Sequence, residues 1–102
     1  MDSPDQRTQI DVPELLALCR IVLEKTIEQG AREVSLERDF YWSIAPGQRY
    51  YVYDEPRDFS IGQLSSDLEG LRSLAREDGF IPPNALVWLA RIIEALGDEI
   101  LP

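Results

Sequence analysis

Catalysis needs groups that titrate or attack near neutrality, and this chain offers few of them. Its 102 residues include no histidine, and Cys19 and Lys25 are its only cysteine and lysine. No glycine-rich phosphate loop, serine-centred nucleophile elbow or Cys/His metal spacing occurs. Acid–base work or ligand binding would therefore fall to carboxylates, tyrosines and arginines. Asp54, Glu55 and Asp58 could offer oxygens to a divalent cation. Hard-ion loops, however, need denser ligands at regular spacing and usually a central glycine. A solvated turn, its backbone set by Asp and Pro, is the simpler reading of this stretch. No cofactor or metal site is expected.

The one unusual concentration is aromatic. Of nine aromatic residues, Phe40, Tyr41, Trp42, Tyr50, Tyr51, Tyr53 and Phe59 fall within residues 39–63, interleaved with Asp39, Arg49, Asp54, Glu55, Arg57 and Asp58. Large rings dominate core burial, so Phe40, Trp42 and Phe59 are expected to anchor this segment to its neighbours. Tyr41, Tyr50, Tyr51 and Tyr53 keep a polar tip that suits a rim. Tyrosine, tryptophan and arginine are also enriched where proteins bind each other. Arg49, Tyr50, Tyr51, Tyr53, Asp54 and Arg57 thus form a candidate interaction surface, with Ile21 and Trp88 as outlying members. The alternative is that these residues only roof the core.

The flanks read as helices. Asp11 as cap, Pro13 in the first turn, Glu14 at a capping-box position and Ile10 with Leu15 as a staple predict a helix from residue 12 to about 29, stopped by Gly30. Its apolar face would carry Val12, Leu15, Leu16, Cys19, Val22, Leu23, Thr26 and Ile27, with Ile21 on the polar side. On that face the Cys19 thiol acts as a small hydrophobe, while Lys25 on the polar face is a solvated charge. Val34 and Leu36 then alternate with polar residues as in a short strand, and a second extended piece is expected at residues 50–53, with Pro46-Gly47 as the hairpin turn.

Ser60 as cap, Gln63 three residues on, and Phe59 with Leu64 as staple predict a second helix from 61 to about 77. Ile61, Leu64, Leu68, Leu71 and Ala75 would form its stripe, with Gly70 opposite. Asn84 would cap a third helix, residues 85–96, stopped by Gly97, with Leu86, Leu89, Ile92, Ile93 and Leu96 as its main face and Val87 and Trp88 adding apolar surface at the flanks. The fold expected is mainly α, with α+β possible: a three-helix core and a short extended, hairpin-like aromatic insert between the first two helices. Residues 1–9 are expected to be flexible and 10–102 to form one globular domain.

The formal charge of -9 is spread along the chain, which disfavours phosphate backbones and anionic lipid, hence nucleic acid and membrane, as partners. The longest uninterrupted apolar run, residues 85–90, is far shorter than the roughly 20 residues a spanning helix needs. A single cysteine allows no internal disulfide, and the start of the chain has no secretory pattern. A cytoplasmic protein is expected.

Asp39-Phe40-Tyr41-Trp42-Ser43-Ile44, then Tyr53-Asp54 and Pro56, then Ile61-Gly62-Gln63-Leu64-Ser65-Ser66-Asp67-Leu68 resemble a group of small uncharacterised bacterial proteins. These carry an aromatic D-x-Y-W element before a G-Q-L-S-x-D helix start. The resemblance spans residues 34–96. It implies a bacterial source and a recurring small domain, and it carries over no catalytic residue. Two classes of function follow from the residues. One is a non-enzymatic module that contacts another protein or a second copy of itself, of which an immunity or antitoxin-type inhibitor of a basic protein is a narrower form. The other is a small enzyme or ligand-binding protein using Asp39, Asp54, Asp58 and a tyrosine in a pocket.

Overall fold

The computed structural model describes residues 7–100, and the expected flexible start lies mostly outside them. The fold is mainly α with α+β character: α1 (Val12–Glu28), β1 (Phe40–Ile44), α2 (Pro46–Arg49), β2 (Phe59–Gln63), α3 (Leu64–Arg76) and α4 (Pro83–Ile100). Two compact units divide the chain, one up to Glu33 and one from Val34 onward.

The first unit is built on α1, whose ends are those the sequence specifies. The Asp11 side chain accepts from the Glu14 amide at 3.3 Å, a proline stands in the first turn, and Gly30 takes φ 106° just past the C-cap Gln29. Arg20 and Glu24 pair at 2.8 Å one turn apart. Within this unit no residue of α1 is buried and Cys19 is half-buried.

In the second unit β1 and β2 pair antiparallel, Phe40 opposite Gln63 and Ile44 opposite Phe59. The expected hairpin is thereby replaced. Residues 34–36 and 50–53 are not strands, and Pro46-Gly47 opens the short helix α2 instead of a two-residue turn. Proline's fixed φ suits a first helical turn, and Arg49 donates to the Ile44 carbonyl at 3.0 Å, holding that turn against the end of β1.

The second predicted helix starts three residues late. Residues 61–63 belong to β2, α3 begins directly at Leu64, and Ser60 lies mid-strand opposite Ser43. α3 and α4 pack on each other, Leu64 lying near Ile92 and Leu96 and Gly70 near Trp88 as in an antiparallel pair, and Leu64 and Ala85 are the buried apolar residues, each near the start of its helix. The packed side of α4 runs through Ala85, Trp88, Ile92 and Leu96, while Leu86 and Leu89, expected on its main face, are exposed. Gly70 explains the rotation, because Trp88 lays its ring where a Cβ on Gly70 would stand, 2.9 Å from Cζ3. Two further expectations fail: Asn84 lies within the first turn of α4, and Gly97 is carried through to Ile100. A single glycine costs a helix about 1 kcal/mol, which tertiary packing can override.

Two glycines should therefore respond in opposite directions to alanine. Gly97 has open space around its Cβ position, so Gly97→Ala should stabilise the protein by about 0.5–1 kcal/mol in urea unfolding. At Gly62 a Cβ would overlap the Tyr41 ring, and Gly62→Ala should destabilise by about 1–3 kcal/mol.

Candidate interaction surface

Strand alternation gives the ribbon two unlike faces. Cross-strand partners share a face, so one carries Tyr41 with Gly62 and Ser43 with Ser60. The other carries Phe40 with Gln63, Trp42 with Ile61, and Ile44 with Phe59.

The first face is tied to the helices. Gly62 has no side chain, so the Tyr41 ring crosses it and donates its hydroxyl to Asp67 Oδ2 at 2.6 Å. Asp67 is a buried carboxylate in the first turn of α3, where the helix dipole favours negative charge. From α4, the Arg91 guanidinium carbon lies 5.3 Å from the centre of the Tyr41 ring, a cation–π contact, and Arg91 also reaches Glu94 at 3.4 Å. One tyrosine thus connects β1, α3 and α4. Burial first, and then the hydrogen bond to Asp67, push its pKa up to about 12. Beside it lies an open cavity of about 410 Å³, lined among others by Phe40, Tyr41, Arg91, Glu94 and Asp98.

Asp39 makes the second tie. Its Oδ1 accepts from the Ser65 amide and its Oδ2 from Ser65 Oγ and Gln63 Nε2, each at 2.8 Å, while its carbonyl accepts from the Leu64 amide at 2.7 Å. It caps α3 from across the sheet, a role Gln63 at the N-cap position does not fill. The side-chain bonds from Ser65 and Gln63, then the Ser65 amide, hold its carboxyl below the usual carboxylate range.

The second face is open. Phe40, Trp42 and Phe59, expected as buried anchors, are exposed, Trp42 by 69%, and Trp42 meets Phe59 edge-on with ring centres 5.8 Å apart. Burial depends on strand parity, and Tyr41, assigned to the rim, is the ring that points inward. The loop before β2 adds Tyr50, Tyr51, Val52 and Tyr53, the last 99% exposed. Gln48 shapes this loop: its Oε1 accepts from the Arg57 and Asp58 amides and its Nε2 donates to Asp58 Oδ2 at 2.7 Å.

Of the candidate residues, Arg49, Tyr50, Tyr51, Tyr53, Asp54 and Arg57 lie together on the segment joining the strands, and Tyr51, Asp54 and Arg57 line a hollow of about 230 Å³. Trp88 belongs to the α3–α4 packing, and Ile21 sits on α1 in the other unit. Asp39 lines a different, mostly apolar groove with Leu68, Ile92 and Leu96, and so shares no pocket with Asp54. Sequence reading missed the linkage of Tyr41 to Asp67 and Arg91; the glycine opposite Tyr41 was its only local signal. No family model matches this chain, and no curated protein or solved structure shows significant similarity to it.

Two titrations check these ties. A phenol whose folded pKa is raised contributes stability below its unfolded value, ~10, and loses it as pH rises through about 12. The Tyr41 phenolate band should appear only in that late range, and Tyr41→Phe should abolish the late step. Asp39, with a lowered folded pKa, contributes stability above its unfolded value, ~3.9, and loses it as pH falls through the folded one. Urea unfolding of Asp39→Asn should therefore show less acid destabilisation below ~pH 4 than the wild type.

Proposed function

We propose that this protein is a non-enzymatic, cytoplasmic protein-interaction module, and that the open aromatic face of the ribbon, with the loop at residues 50–58, is its contact surface. The observation that carries this reading is the segregation of the rings: of the seven in residues 40–59, Tyr41 turns inward and Phe40, Trp42, Tyr50, Tyr51, Tyr53 and Phe59 are exposed. Exposed large rings concentrated in one segment support this reading, since extended exposed apolar surface marks interaction sites. Arg49 and Arg57 supply the guanidinium groups that accompany tyrosine and tryptophan at binding hot spots. Among the described residues, no helix is long and apolar enough to cross a membrane.

A photo-cross-linking residue at position 42 or 53 should, in the native host cell, give a protein adduct of defined mass. The same residue at Arg72, on the polar side of α3, should give none. Equal labelling at all three positions, or none at any, would refute the reading.

A further inference from the structure

We propose that the contact this surface makes is with a second copy of the chain, ribbon against ribbon about a twofold axis. The inference rests on the reading above and names its partner. It begins from the register, which sets Phe40, Trp42, Ile44, Phe59 and Ile61 on one face while Tyr41 secures the opposite face to α3. A two-stranded ribbon needs a helix or further strands to pack on, and this one has α3 on its Tyr41 face while its other face carries exposed Phe40, Trp42, Phe59 and Ile61.

Area and charge then select the partner. With ~150–250 Å² per large ring, the exposed fractions of the three ribbon rings amount to roughly 370 Å² and those of the three loop tyrosines to roughly 490 Å², so ribbon and loop together reach the ~800 Å² per partner that stable complexes bury. Residues 40–63 carry two arginines against three carboxylates, one unit of a net charge of -9, so the acidity that repels a second copy resides elsewhere. Arg57, Asp54 and Glu55 are in no ion pair among the described residues. A twofold axis brings each patch onto its equivalent, so the arginines of one copy can meet the carboxylates of the other. A strongly basic partner would find only a small excess of negative charge here.

Sedimentation equilibrium of the purified full chain over a wide concentration range is the test. The wild type should sediment at twice the chain mass, and Trp42→Glu and Ile61→Lys at the chain mass with unchanged far-ultraviolet circular dichroism. Leu16→Glu on α1 and Leu86→Glu on α4 should remain dimeric. A wild type that is monomeric throughout overturns the inference. So does a dimer that survives Trp42→Glu but is lost in Leu16→Glu or Leu86→Glu, which would place self-association on the helices. Should the charged ribbon variants unfold, a photo-cross-linker at position 42 of the purified protein decides, because only ribbon contact yields an adduct of two chains. Adducts at that position with a different protein alone would overturn the second copy and leave the interaction reading standing. No adduct with anything would overturn both.

Discussion

β2 runs into α3 without a connecting residue, Gln63 ending the strand and Leu64 beginning the helix. That junction leaves no room for a local cap, yet the first amides of a helix must be satisfied. Asp39, the residue before β1, satisfies two of them, the Leu64 amide with its carbonyl and the Ser65 amide with its carboxylate. The register of the ribbon and the start of α3 are thereby one event, since Asp39 reaches Leu64 and Ser65 only when Phe40 stands opposite Gln63.

Tyr41 then orients what Asp39 positions. In β1 it points to the helix side, and its length carries the hydroxyl across Gly62 to Asp67, so the ribbon face that meets α3 is decided by one ring. Parity does the rest. If Tyr41 faces inward, Phe40 and Trp42 face outward, and their exposure is the necessary counterpart of the latch. The surface argued to bind is therefore the reverse side of the contact that stabilises the second unit.

The stretches at residues 39–44 and 61–68 are tied to each other by side chains. Asp39 and Tyr41 of the first are bonded to Gln63, Ser65 and Asp67 of the second. The residues between them, which include the exposed tyrosines, form the connection that those bonds close.

What the sequence determined by itself was local. The limits of α1, the helical character of α3 and α4, and the neighbourhood of Arg49, Tyr50, Tyr53 and Arg57 were legible because caps, periodicity and chain proximity act over a few residues. Strand pairing, the capping of α3 and the fate of each ring belonged to the tertiary structure. Ser60 and Phe59 carry a helix-start pattern, but their pairing with Ser43 and Ile44 draws them into a strand, and a cap some two dozen residues upstream displaces the local one. Gly97 and Asn84 carry stop and cap signals that the packing of α4 on α3 outweighs. In each case a contact distant in sequence contributes more than the roughly 1 kcal/mol of a local preference, and such contacts leave no periodic mark in the chain.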